Sequence, residues 1–150
     1  MHTENDRAIK ALNDLIETTL DSANGYRHAA DGVDNPDFRT LFTERASKRE
    51  ELSRRLQQEV RSFGGEPEDD QSLLGRMHNK FAELRGDLMG RDDKGVIDEV
   101  ERGEDVIMAR FEDATRDTDL PDALRQRVTQ EYATIKADHD TISALKHRMS

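Results

Sequence analysis

The apolar residues of this chain recur at three-four spacing, and four breaker clusters cut that pattern into five segments. Such spacing places the apolar side chains on one face of a helix. The first segment runs from about Glu4 to Gly32 and carries Ile9, Leu12, Ile16, Thr19, Ala23, Tyr26 and Ala30. Asp34-Asn35-Pro36 interrupts it. Proline suits the first turn of a new helix and disfavours helical geometry in the residue before it. The second segment, about Pro36 to Phe63, carries Phe38, Leu41, Phe42, Leu52, Leu56 and Val60. Gly64-Gly65-Glu66-Pro67 then stops it, with glycine at the helix end and proline beyond.

Ser72 can cap a third segment to about Met89, with Leu73, Leu74, Met77, Phe81, Leu84 and Leu88 along it. The stretch from Gly90 to Gly95 breaks the chain again. The fourth helix is expected from about Asp93 to Thr118. Asp119-Leu120-Pro121-Asp122 separates it from a fifth, which continues to about Arg148. Leu124, Val128, Ile135, Ile142, Leu145 and Met149 mark that last seam. No strand pattern and no low-complexity segment is present.

Length decides between topologies. The first, second and fifth segments would each measure about 38–42 Å at 1.5 Å per residue. A single straight helix through the third and fourth would reach about 69 Å and overshoot them. The glycine-flanked break at residues 90–95 therefore turns the chain, and the third segment becomes a return connection. The order up, down, return, down, up is a four-helix bundle with one long crossover. A plain five-helix array is the competing arrangement. The expectation is thus an all-α, ferritin-like bundle in one domain over residues 1–150, with a crossover helix between the second and third bundle helices. The apolar face of the third segment would cover the side of the bundle; a second subunit is the other way to cover it.

Composition narrows the classes of function. Charged residues make up 37% of the 150 and hydrophobic ones 33%, a balance that suits long amphipathic helices. The formal net charge of −10 repels phosphate backbones and anionic membrane surfaces. The basic stretch at Arg45, Lys48 and Arg49 is interleaved with Glu44, Glu50 and Glu51, so neither nucleic acid nor membrane is expected as a partner. With no cysteine there is no disulfide or thiolate chemistry. The start, MHTENDRAIK, lacks the apolar core of a signal peptide, and no apolar run approaches a membrane span. A cytoplasmic location is expected.

In each long segment the apolar stripe weakens near its middle. Glu17 stands beside Ile16. Arg45 and Arg49 share the register of Phe42, Leu52 and Leu56. Glu101 and Glu104 lie between Val100 and Ile107. His139 lies between Ile135 and Ile142, with Tyr132 before it. Folded about their turns, four helices each bring a polar group to similar height. Buried charges must pair, bind an ion or reach water. Arg45, Arg49 and His139 can neutralise Glu17, Glu101 and Glu104, an arrangement that specifies helix register. Alternatively, carboxylates and imidazole can hold iron, manganese or zinc. The ion-pair reading needs no added ion and is preferred.

Four stretches carry a family resemblance: LNDLIETTLDSANGYRHAA, ERASKREELSRRLQQEVRSFGGEPED, DDKGVIDEVERGEDVIMARFEDA and YATIKADHDTISAL. The chain resembles the bacterial ferritin-like four-helix-bundle proteins classed as a domain of unknown function, often linked to stress or stationary phase. The resemblance implies the fold and carries no established reaction. Di-iron members of ferritin-like folds use a glutamate on each of two helices and a Glu-x-x-His pair on each of the others. Glu17 matches the first lone glutamate, and Glu101 or Glu104 the second. The pairs are missing: Ser47 follows Glu44 by three, Arg54 follows Glu51 by three, and Lys136 precedes His139 by three. The expectation is a non-catalytic structural or interaction protein of a stress response without a cofactor, able to associate through helical faces. The alternative is an oxidoreductase with a reduced metal set of Glu17, Glu104 and His139.

The remaining constellations read more simply. His2 and His147 lie near the termini, and His28 and His78 lack partners of ligand spacing. The acidic stretch from Glu66 to Asp70 and the pair Asp92-Asp93 lack the spaced ligands and central glycine of a calcium loop. Gly64-Gly65 follows no strand and precedes no Gly-Lys-Ser/Thr, so it is not a phosphate loop. The serines show no nucleophile-elbow pattern.

Overall fold

The computed structural model describes residues 4–68 and 92–149. Among these residues there are four helices and no strand: α1 (Glu4–Gly32), α2 (Pro36–Ser62), α3 (Asp93–Thr115) and α4 (Asp122–Arg148). The crossover helix expected over residues 72–89 lies outside the described residues. No described helix is long and apolar enough to cross a membrane.

The breaker clusters act through identifiable bonds. Asn35 caps α2 by accepting the Asp37 N–H at 2.8 Å, with Pro36 in the first turn. At the other end Gly64 takes φ +80°, which L side chains rarely adopt. Its N–H donates to the Arg61 carbonyl and that of Gly65 to the Val60 carbonyl, the paired closure that satisfies the last carbonyls of a helix. A Cβ on Gly65 would stand 2.8 Å from the Ile9 side chain, so any other residue there would force Ile9 or the turn to shift. Asp92 caps α3 by accepting the Gly95 N–H. The Asp93 carboxylate accepts the N–H groups of Asp34 and Asn35 at 2.8 and 3.1 Å, clasping the α1–α2 turn to the start of α3. The fourth sequence segment stops three residues early, at Thr115, where the Arg116 and Asp117 N–H groups turn back to Asp113 and Ala114.

These ties set the directions. Asn13 of α1 donates to the Glu66 carbonyl and accepts the Glu68 N–H, so the chain beyond α2 returns to the beginning of α1. The beginning of α3 lies at the end of α1, and α4 runs back beside α3. The four helices therefore run up, down, down and up. α1 packs against α2 and α3, and α3 against α4. α2 and α4 stand more than 8 Å apart, Cα to Cα. Long side chains bridge that seam: Arg55 to Glu131 at 2.8 Å and Arg127 to Glu59 at 2.6 Å.

Two apolar cores fill the bundle. One contains Leu12, Ile16, Leu56, Val60, Ile107, Phe111, Leu124, Val128 and Ile135. The other contains Ala29, Val33, Phe42, Ala46, Val96, Ile97 and Ile142, with Tyr26 at its inner edge. Between them lie the buried polar residues Thr19, Arg45, Arg49, Ser53, Glu104 and Asp138. Thr19 and Ser53 satisfy themselves on their own helices, donating to the carbonyls of Leu15 and Glu50. The other four meet one another.

Candidate functional site: the polar layer between the cores

Arg45 and Arg49 are one helical turn apart on α2 and so share a face. Arg49 reaches across to α3, where its Nη1 and Nη2 donate to the two carboxylate oxygens of Glu104 at 2.8 and 3.0 Å. The pair is shut off from water: the Arg49 side chain is 2% exposed and that of Glu104 1%. The same guanidinium donates to Ser22 Oγ at 2.7 Å and to Asp138 Oδ2 at 3.3 Å. Arg45 Nε lies 3.6 Å from Asp138 Oδ2. Arg45 Nη1 donates to the Tyr26 hydroxyl and, at 3.4 Å, to the Asp138 carbonyl. Both guanidinium groups also approach the Tyr26 ring, at 5.7 and 5.6 Å from its centre, within reach of a cation–π attraction.

Two cations thus face two carboxylates, and the layer is neutral as a whole. Burial by itself works against the charge on Arg49, but the adjoining Glu104 carboxylate holds its pKa above the ordinary arginine value. Burial, and then the Glu104 charge, push the Tyr26 phenol well above its usual range. Tyr26 accordingly keeps its proton at any physiological pH. Forked, charge-assisted bonds of this kind fix geometry as well as add strength. Both Glu104 oxygens are engaged by protein.

The residues expected from the sequence to form one tier separate into several places. Arg45, Arg49 and Glu104 come together. Glu101 turns to the α3–α4 seam, where it accepts from Lys146 Nζ and Ser143 Oγ, both at 2.9 Å. The hydrogen bond from Lys146 draws its pKa below the usual carboxylate range. His139 lies at the edge of the same seam, with Nε2 2.6 Å from Asp105 Oδ1 and Nδ1 3.2 Å from Asp140 Oδ1. Partial burial disfavours its charged form, but hydrogen bonds to Asp140 and Asp105 outweigh this and raise its pKa. Tyr132 packs against the first apolar core. Glu17 is half-buried on α1 and lines a groove.

That groove, of about 600 Å³, lies between α1 and α3. Tyr26, Ser22 and Glu104 reach it from the polar layer, while Glu17, Gly25 and Gly103 belong to its walls. Glu17 and Glu104 both border this groove, whereas His139 stands apart at the edge of the α3–α4 seam. Among the described residues no group of three or more His, Cys, Asp or Glu is placed to hold a metal ion.

Sequence reasoning missed three members of the layer: Tyr26, read only as part of an apolar stripe, Ser22, and the anion Asp138. Asp138 stands three residues after Ile135 and four before Ile142, so the seam spacing admits it as readily as its neighbour His139. Charge balance was the available signal, since two buried arginines require two anions.

Fold and site together define an all-helical bundle whose two apolar cores are joined by a buried, neutral ion-pair network. Residues 7–117 match the family described as Domain of unknown function (DUF2383), and the chain belongs to that family. No match was found among curated proteins.

Proposed function

We propose that the chain is a ferritin-like bundle whose mid-height site is filled by its own charges, and that it acts as a non-catalytic structural or interaction protein. The observation that carries this reading is the forked Arg49–Glu104 pair. It uses both oxygens of the one deeply buried glutamate of the layer, and a guanidinium occupies the space beside that carboxylate. The up, down, down, up order of the helices supports the ferritin-like assignment. A role in a bacterial stress response is what the resemblance of the four sequence stretches implies, and the cytoplasm is the location proposed for it. The net charge of −10 disfavours nucleic acid and anionic lipid as partners.

Metal analysis of protein purified without chelator or affinity tag tests this, followed by anaerobic ferrous titration and exposure to air. The expected result is no near-stoichiometric metal and no oxygen-dependent absorbance change. Stoichiometric iron, manganese or zinc that disappears in the Glu104→Ala/His139→Ala variant would overturn the proposal in favour of an oxidoreductase.

A further inference from the structure

Two pairs of sequence neighbours stand at one height across the α3–α4 seam. Glu104 and Asp138 turn inward to Arg49. Asp105 and His139, the next residue of each helix, meet outside them, with His139 Nε2 2.6 Å from Asp105 Oδ1. The buried ion pairs thus have an outer counterpart built from adjoining residues of the same two helices.

The His139 ring is bracketed by carboxylates. Nδ1 lies 3.2 Å from Asp140 Oδ1 while Nε2 faces Asp105. The two acids take opposite ring nitrogens, so they do not converge with the ring on one point. An ionised carboxylate only accepts hydrogen bonds, so a ring that serves both must donate from both nitrogens, and only the imidazolium does so. A neutral ring has one N–H, and its other nitrogen would turn a lone pair toward an acid. The contacts themselves therefore call for a proton, and the raised pKa of His139 agrees with them.

The surroundings decide what loss of that proton does. On α4, Lys136 Nζ donates to Asp140 Oδ2 at 3.2 Å, so this carboxylate has a second cation to turn to. On α3, Glu101 stands one turn before Asp105 and is held by Lys146 and Ser143; Lys146 also lies 3.7 Å from Asp98. Glu101 titrates below the usual carboxylate range and Lys146 above the usual amine one, each held there by the bond between them. Asp138, beside His139, is committed to Arg45 and Arg49 of α2. Among the described residues no group of α1 or α2 hydrogen-bonds the ring. Of all these groups, the imidazole alone changes charge near neutral pH.

We infer that His139 is a proton-operated clasp on the outer side of the buried layer. Protonated, it holds Asp105 of α3 and Asp140 of α4 at once. On losing its proton to water it keeps one N–H, releases Asp140 to Lys136, and holds Asp105 from a neutral ring, without the attraction of opposite charges. The α3–α4 seam then opens more often at the height of Glu104 and Asp138, while its Glu101–Lys146 end stays tied.

Amide hydrogen exchange of the wild-type chain tests this, followed by NMR from about pH 5 to about pH 8 and corrected for the intrinsic pH dependence of exchange. Protection at residues 104–107 and 138–142 should fall by about two- to five-fold as the imidazole deprotonates, the range open to a partly exposed ion pair, and by less at Leu52 and Leu56 of α2. Nitrogen chemical shifts of the ring give a second measurement: two N–H nitrogens below the transition and the Nε2–H tautomer above it. His139→Gln keeps a donor but cannot titrate, and should abolish the local pH dependence. Lys136→Met removes the other partner of Asp140 and should raise the His139 pKa further. An imidazole that titrates near its ordinary value of about 6.5 in both the wild-type and Lys136→Met chains would overturn the clasp. So would an equal fall in protection along the whole chain, no fall at all, or a His139→Gln chain that keeps the wild-type dependence.

Discussion

Asp138 and His139 are neighbours on α4, yet they belong to two electrostatic regimes. Asp138 turns inward to share two arginines at 3.3 and 3.6 Å, behind walls that leave Arg49 almost no exposure. His139 turns to the rim, where its partners Asp105 and Asp140 are each 59% exposed. Water screens the rim pair and allows each member to survive alone. In the layer no such substitute exists, so removal of one charge leaves another buried without its counterion. The same kind of contact therefore has unequal consequences, set by burial rather than by distance.

The largest expected effect separates the two regimes most clearly. Glu104→Ala should destabilise the fold by about 3–5 kcal/mol, since it leaves two buried arginines to share Asp138 alone. Urea unfolding read by linear extrapolation measures it. A loss below about 1 kcal/mol would place Glu104 with the rim residues and erase the distinction. Arg49→Met/Glu104→Leu should recover most of that loss, because an apolar pair of similar volume removes the stranded charge. The double-mutant cycle gives the coupling directly.

At the rim, Asp105→Asn should cost less than about 1 kcal/mol. It should also lower the His139 pKa toward its ordinary value near 6.5, followed by NMR titration of the imidazole. The sign of the pH effect follows from the raised pKa in the fold. The stabilisation from His139 is full below its unfolded pKa and is lost as pH rises through the folded one. Asp105→Asn should flatten that dependence.

The helices were legible because their stops are local. Pro36 and the Gly64-Gly65 pair determine chain direction within a few bonds, and the apolar spacing names the inward faces. The level of the polar layer was legible as well, through Arg45, Arg49 and Glu104. Its full membership was not. Each residue turns a helix by about 100°, so Asp138 and His139 flank the seam of Ile135 and Ile142 almost evenly. Tertiary charge balance chose between them. Glu101 and Glu17 lie near the layer in sequence but are rotated to other seams, where Lys146 and the groove receive them.

The separation of α2 from α4 has a mechanical consequence. Close-packed apolar contacts forfeit a quarter to a half of their dispersion energy when a gap of about 0.5–1 Å opens. The seams of α1 with α2, and of α3 with α4, are therefore stiff. Arg55–Glu131 and Arg127–Glu59 end in long, rotatable side chains that follow a moving partner without breaking contact. Asp138 pins the same seam at mid-height through Arg45 and Arg49, so the compliance is confined to the end held by these surface pairs.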